Sequence, residues 1–306
     1  MLRRHFNLAL CLAAWVPLAR DARSADTTSR GPLFWLVTRG RARVFLLGFG
    51  DARDESWLTP AIRGAFRASS ELWLEVAPDP KGWSSKAYEQ LSHEASGRTF
   101  FDELEPGVRE RTLMYMAELG VKKESVQALR PWQAYYTINS AFWSRNKLPY
   151  EPVMPSDVLR KLAILQGKRI GYETPTGLAF AQSMAAMPDK AQSQYIEWLL
   201  DFFDDYRQGF NGVSWFDWTT GSPTINRRSL DRMRTRTPEL YQAMQVRRNA
   251  WWAHKIDQLL VTPDTSFIGI GELHVLGPDG IPSQLQRLGI VGSSGLHENP
   301  SLDAIG

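Results

Sequence analysis

Two short segments near opposite ends of the chain close an apolar run with glycine and a residue that can act as a ligand, acid or base. Near the N-terminus, the run Val-Phe-Leu-Leu leads into Gly48-x-x-Asp51. Far downstream, the run Phe-Ile-Gly-Ile leads into Gly271-x-x-His274. An apolar strand that ends at glycine delivers the next polar side chain to a loop, where such side chains often carry function. We therefore predict that Asp51 and His274 belong to one site.

Glutamates near other strand ends could join this site. Glu75 lies in the apolar run Leu-Glu-Val, Glu173 ends another short strand, and Glu272 faces the same way as His274 if that segment is extended. One imidazole with several carboxylates suits Mn²⁺, Co²⁺ or Zn²⁺, and such an ion makes bound water a nucleophile. Each residue also has a structural alternative: Asp51 in a turn, Glu75 as a paired strand carboxylate, His274 as a hydrogen-bonded loop residue.

Other catalytic motifs are absent from the sequence. It contains no His-Glu-x-x-His and no Gly-x-Ser-x-Gly. Gly269-x-Gly271 lacks the third glycine of a dinucleotide-binding loop, and no Gly-Lys-Ser/Thr phosphate loop occurs. These absences favour a metal or ligand site over a serine nucleophile or a nucleotide site.

The first 24 residues read as a secretory signal. Arg3 and Arg4 precede a short apolar stretch and the small residues Ala22 and Ser24. The stretch is shorter than the roughly 20 residues that span a bilayer. The chain's only cysteine, Cys11, lies within this segment, so the mature protein has no thiol. We expect cleavage after residues 1–24, export to the periplasm and no transmembrane span in the mature protein; the oligomeric state stays open.

Composition and charge suit a soluble globular protein. The 306 residues are 43% hydrophobic and 23% charged, which allows one large domain or two modest ones. The formal charge is +3, and residues 1–24 contain four arginines and one aspartate, a net +3. The mature chain is therefore close to neutral. We expect no nucleic-acid partner.

The elements that must position the candidate residues follow from apolar periodicity and from turn residues. Strands are predicted at both ends of the chain and helices between them. This order predicts an α/β fold with a central sheet built from N- and C-terminal strands and a large helical section, and strand-end loops that meet in a crevice. We assign one domain to 31–292 and a flexible tail to 293–306. The predicted elements are a hairpin over 33–47; strands at 71–77, 168–174, 266–270 and 289–292; and helices at 60–68, 106–119, 157–166 with Ser156 as N-cap, 190–210, 227–260 and 282–288.

A series of motifs, taken in order, resembles the TraB/GumN family, which is related to the Tiki metalloproteases and more distantly to EreA- and ChaN-like proteins. The resemblance covers nearly the whole mature chain. Its carriers are Pro32-Leu-Phe-Trp-Leu-Val, Val44-Phe-Leu-Leu-Gly, Leu74-Glu-Val, Leu129-Arg-Pro-Trp, Ser156-Asp, Gly167-Lys-Arg-Ile-Gly-Tyr-Glu-Thr, Arg248-Asn with Trp252, and Gly271-Glu-Leu-His-Val-Leu-Gly-Pro-Asp-Gly.

The resemblance implies a metal-dependent hydrolytic site. Members of the family carry two Gly-x-x-His motifs and a strand glutamate. The second motif corresponds to Gly271 and His274, and the glutamate to Glu75. The first motif corresponds to Gly48 but ends here in Asp51 instead of histidine, and aspartate is a shorter and harder ligand.

The resemblance also implies roles for residues outside the two glycine motifs. Arg248 and Asn249 match the family's Arg-Asn pair, which orients substrate or a carboxylate. Glu173 matches the family's Leu-Glu-Thr position, although Tyr172 replaces the leucine.

Three interpretations follow for function. In the first, Asp51, Glu75 and His274 hold Mn²⁺, Co²⁺ or Zn²⁺ in a hydrolase, and Arg248 stabilises oxyanion charge. In the second, the protein is a noncatalytic relative that binds a peptide or a small ligand. Haem or metal binding is a third alternative through the ChaN-like relatives, and it would use His274.

Overall fold

A mixed sheet organises the part of the chain that the computed structural model describes, namely residues 31–79, 85–94, 97–146, 153–208, 218–221, 224–290 and 292–294. Its strands are β1 (Phe34–Arg39), β2 (Ala42–Phe49), β3 (Glu71–Val76), β4 (Arg169–Thr174), β5 (Thr265–Gly271) and β6 (Gly292–Ser294). Their spatial order is β4-β3-β5-β2-β1-β6. Strands β2, β5, β3 and β4 are parallel, and β1 is antiparallel to both β2 and β6. This arrangement confirms an α/β fold whose sheet joins both ends of the chain.

Helices fill the long connections between these strands, which confirms the large helical section. They are α1 (Pro60–Ala68), α2 (Lys86–Ser92), α3 (Pro106–Leu119), α4 (Pro131–Arg145), α5 (Pro155–Leu165), α6 (Gly177–Ala185), α7 (Asp189–Arg207), α8 (Thr224–Arg236), α9 (Pro238–Tyr241), α10 (Arg247–Leu259) and α11 (Ile281–Arg287). A π-helical segment, Gln242–Val246, joins α9 to α10. Over the described residues, no helix has the length and apolar character needed to cross a membrane.

The central strands are buried on both faces, as parallel strands between helical layers usually are. Every residue of β2 except Arg43 is buried. Because side chains alternate along a strand, Val44 and Leu46 join the core that contains α4, α7 and α10, whereas Phe45 and Leu47 join the core that contains α1 and α5. Helices thus pack on both faces of the sheet. Because β2, β3, β4 and β5 are parallel, their carboxyl ends lie at one edge.

Two predicted boundaries are wrong. Helix α5 begins at Pro155 with Met154 as N-cap, so Ser156 lies inside the helix and does not cap it. Proline suits this first position because its φ is preset and its missing N–H would have no partner there. The last strand is β6 at Gly292–Ser294 rather than 289–292, and it takes up the first residues assigned to the tail. Residues 295–306 and the predicted signal at 1–24 lie outside the described residues.

Candidate functional site

The strand-edge cluster consists of Glu75, Glu173, Arg248 and His274, at the carboxyl edge of the parallel strands. Glu75 and Glu173 lie near the ends of β3 and β4, Arg248 lies in the first turn of α10, and His274 follows β5. Crevices at this edge are the usual ligand sites of open α/β sheets. The structure therefore brings together most of the site residues that the sequence suggested, with Asn249 and Gly271 in contact with them.

Arg248 lies between the two glutamates. Its Nε donates to Glu173 Oε1 at 2.7 Å, and its Nη2 donates to Glu173 Oε2 at 2.5 Å and to Glu75 Oε1 at 2.8 Å. Only 15% of the Arg248 side chain is exposed, and 11% of each glutamate. Burial lowers the pKa of Arg248, but the charges of Glu173 and Glu75 outweigh it and raise the pKa well above its usual value. The fork-shaped contact to Glu173 is among the strongest ion-pair geometries in proteins.

Both oxygens of Glu75 are engaged by donors of the protein. Oε1 accepts from Arg248 and lies 3.3 Å from His274 Nε2, while Oε2 accepts from the Gly271 N–H at 2.8 Å. Burial raises the pKa of Glu75, but the contact with His274 and the charge of Arg248 outweigh burial and lower the pKa from 4.5 to about 2. Glu75 is thus ionised at neutral pH, and each of its oxygens already accepts a hydrogen bond from the protein.

His274 follows β5 directly and is buried. It lies in a 3₁₀ turn, Glu272–Val275, and only 3% of the residue is exposed. Its Nδ1 lies 2.6 Å from Asn249 Oδ1, and Asn249 Nδ2 donates to the Asp279 carbonyl at 2.8 Å. Because a carbonyl only accepts, the amide nitrogen must face Asp279 and the amide oxygen must face His274. Asn249 therefore requires a proton on Nδ1 and leaves Nε2 directed at Glu75.

Glu272 does not share a direction with His274, contrary to the prediction from an extended segment. In a 3₁₀ turn, residues two apart lie on different faces, since each residue rotates the chain by about 120°. Glu272 accepts from Asn226 Nδ2 of α8, whereas His274 contacts Asn249 of α10. The turn thus links two helices to the end of β5.

The first glycine motif has a packing role in the structure. A Cβ at Gly48 would lie 2.5 Å from Val275 Cγ2, so only glycine lets the 3₁₀ turn approach β2 this closely. Asp51 follows β2, and its backbone carbonyl accepts from Trp218 Nε1 at 2.7 Å. Trp218 and Asn226 were not predicted to belong to the site, and nothing in their local sequence identifies them.

A complete metal site does not form from the described residues: no group of three or more His, Cys, Asp or Glu side chains among them is placed to hold an ion. The 3.3 Å between His274 Nε2 and Glu75 Oε1 suits two neighbouring ligands of a tetrahedral ion with bonds of about 2.0–2.2 Å. Two ligands are too few, and Glu75 already binds a guanidinium. The assignment of Asp51, Glu75 and His274 as metal ligands stays a prediction.

Comparison with known proteins identifies the family. The sequence profile described as the TraB/PrgY/gumN family matches residues 33–291, which include every member of the strand-edge cluster. No curated protein matches the chain, and no solved structure does. Since the profile match extends over most of the sequence, this chain belongs to the TraB/PrgY/gumN family.

Proposed function

We propose that this protein is a noncatalytic member of its family that binds a peptide or a small polar ligand at the strand-edge cluster. The observation that carries this proposal is the coordination of Glu75. A carboxylate acting as a base or metal ligand must reach a substrate, a water molecule or an ion. Glu75 instead accepts from Arg248 and Gly271 and faces His274. Its charge is balanced by Arg248, and both of its oxygens already hold hydrogen bonds within the protein.

Glu173 supplies an acceptor for the ligand. Its Oε2 accepts from Arg248 and from Trp252 Nε1, whereas Oε1 accepts one hydrogen bond, from Arg248 Nε. A carboxylate oxygen has two lone pairs, so Oε1 has capacity for a second donor. A peptide N–H or an amine is a donor of the kind this oxygen accepts, and such a contact does not require Arg248 to be displaced.

Affinity selection tests this proposal. Purified protein is equilibrated with a defined mixture of linear hexapeptides, and retained peptides are identified by mass spectrometry. Glu173→Gln should reduce retention at least tenfold, because a buried charged acceptor contributes about 1.5–3 kcal/mol. The matched control is Glu239→Gln. It alters a carboxylate that pairs with Lys190 and is not a member of the strand-edge cluster. Equal retention by both variants, or none by the wild type, contradicts the proposal.

A metal-dependent hydrolase is the second candidate, and one observation favours it. Asn249 orients the His274 ring so that Nε2 points at Glu75, and ligand histidines are commonly fixed in this way through their other nitrogen. This candidate requires Asp51 as a third ligand for Mn²⁺, Co²⁺ or Zn²⁺, an ion that supplies activated water when bound. Arg248 would then face developing oxyanion charge.

Metal loading separates the two candidates. The metal content and peptide cleavage of the wild type are measured after exposure to Mn²⁺, Co²⁺ or Zn²⁺, beside Asp51→His, His274→Ala and the control His254→Ala, which alters an exposed histidine. The noncatalytic proposal expects no stoichiometric metal and no cleavage in the wild type. Stoichiometric metal and cleavage that His274→Ala abolishes and His254→Ala retains would establish the hydrolase instead.

We also propose that residues 1–24 direct export to the periplasm, on the strength of the basic, apolar and small-residue pattern. Cell fractionation of the full chain and of a chain lacking 1–24 tests this. The full chain should be recovered in shortened form from the periplasmic fraction, and the truncated chain from the cytosol. An unprocessed full chain in the cytosol contradicts the proposal.

A further inference from the structure

Gln245 is a buried amide whose polar atoms have no hydrogen-bond partner in the described part of the chain. The residue is 1% exposed. Neither its Nε2 nor its Oε1 has a hydrogen-bond partner among the described residues. Gln194, a buried amide of α7, is the contrasting case: its Nε2 donates to Glu239 and its Oε1 accepts from the Leu240 N–H. An unpartnered buried amide is unfavourable and rare in native proteins. We therefore expect a group outside the described residues, such as a buried water, to supply its hydrogen bonds.

The position of Gln245 in the helix is also unusual. It lies in the π-helical segment Gln242–Val246, directly before the turn that carries Arg248 and Asn249. Single π-helical turns are uncommon and occur frequently at functional sites. A π-helical turn and an unpartnered buried amide thus occur together beside Arg248 and Asn249.

The flanking residues show which way Gln245 faces. Tyr241 and Asn249 lie four residues before and after it, and both bond to Asp279: Tyr241 Oη donates to Oδ2 at 2.9 Å, and Asn249 Nδ2 donates to the carbonyl at 2.8 Å. Residues four apart share a helix face. Gln245 therefore lies on the face turned toward the segment that carries Asp279, between two hydrogen bonds to that residue.

We propose that Gln245 binds a buried water molecule between the π-helical segment and the backbone around Asp279. A buried water typically makes two to four hydrogen bonds to polar groups that lack other partners, and an amide offers both donors and an acceptor. The water holds the Asp279 segment at the distance that Asn249 needs for its bonds to Asp279 and His274. Gln245 is thus a positioning residue for the His274 ring, and this role does not depend on whether the site is catalytic.

A pair of matched variants tests the proposal in the full chain. Gln245→Met keeps the length of the side chain and removes its hydrogen bonds, and Gln194→Met does the same to an amide that is satisfied by the protein. Both should lower Tm by about 2–4 °C, the size expected for about one hydrogen bond. Only Gln245→Met should change the ¹⁵N shifts of the His274 ring, assigned by their loss in His274→Ala. A purely structural amide would lower Tm and leave those shifts in place.

Two outcomes overturn the proposal. If the Gln245 amide is dry, Gln245→Met raises Tm, because removing an unsatisfied polar group is favourable. If the water does not position the site, the His274 shifts stay unchanged. Should Gln245→Met fail to fold, a high-resolution crystal structure of the wild type decides: a water within hydrogen-bond distance of the Gln245 amide supports the proposal, and its absence overturns it.

Discussion

The strand-edge cluster and a second cluster on α7 differ in how many arginines each buried carboxylate contacts. In the first, one arginine, Arg248, is shared by two buried carboxylates, Glu75 and Glu173. In the second, one buried carboxylate has two arginine partners: Asp201 binds Arg111 Nη2 at 3.0 Å and Arg236 Nη1 at 2.9 Å. These arginines also pair with the more exposed Asp204 and Glu197.

The difference determines how each cluster responds to the loss of a partner. Removing Arg236, whose side chain is 51% exposed, leaves Asp201 with Arg111. Removing Arg248 leaves two buried carboxylates facing each other with no other arginine or lysine ion-paired to either in the described ranges. Exposed ion pairs contribute little to stability, whereas an uncompensated buried charge is strongly destabilising. Removal of an arginine should therefore destabilise the strand-edge cluster more than the cluster on α7, which several measurements can test.

Arg248→Met should have the largest effect. It leaves Glu75 and Glu173 buried without their shared cation, a change that destabilises by about 3–5 kcal/mol. The free energy of unfolding in urea measures it. If Arg248→Met and Arg236→Met destabilise equally, the contrast between the clusters is wrong.

The second-largest effect should be the loss of stability in acid that is due to protonation of Glu75. Its folded-state pKa of about 2 lies below 4.5, so ionised Glu75 stabilises the fold above pH 4.5 and this contribution is lost as pH falls toward 2. The difference in pKa corresponds to about 3 kcal/mol. We expect the free energy of unfolding, measured in urea, to fall between pH 7 and pH 2 by about that amount less in Glu75→Gln than in the wild type. Glu239→Gln, at a partly exposed ion pair, should track the wild type closely.

Asn249→Leu should have an intermediate effect. The substitution leaves His274 Nδ1 without its acceptor and removes the amide donor to the Asp279 carbonyl. Loss of buried hydrogen-bond partners costs about 1–3 kcal/mol, measured by urea unfolding. Asn146→Ala is the control, since that amide donates to the Phe142 carbonyl at the end of α4 and is partly exposed. A smaller loss for Asn249→Leu than for the control would contradict the assigned network.

Arg236→Met should have the smallest effect, within about 1 kcal/mol, because the Arg236 side chain is half exposed and Asp201 keeps Arg111. The double variant Arg111→Met/Arg236→Met should lose more than the sum of the single variants, by about 0.5–3 kcal/mol, since Asp201 then has neither arginine. Strict additivity in this double-mutant cycle would show that the two arginines do not jointly compensate the charge of Asp201.

Local patterns predicted the elements whose signals are contained within a few residues. Helix α3 begins at Pro106 and ends before Gly120, which adopts a left-handed conformation with φ 72°, as a glycine after an apolar helical pattern indicates. The β1–β2 hairpin was predicted equally well. Strand β6 was misplaced because its Gly-Ser-Ser sequence has no apolar alternation, and its place depends on backbone pairing with β1.

The sequence by itself determined the family, the α/β order of elements, and which polar residues lie at strand ends, because these follow from motif order and from periodicities of two and about 3.6 residues. Only the tertiary structure decided how those residues pair. It placed Arg248 between Glu75 and Glu173, buried His274 against Asn249, and left the Gln245 amide without a hydrogen-bond partner among the described residues. Such contacts join residues as far apart as 173 positions, and their geometry depends on how helices pack across the sheet, which no local pattern encodes.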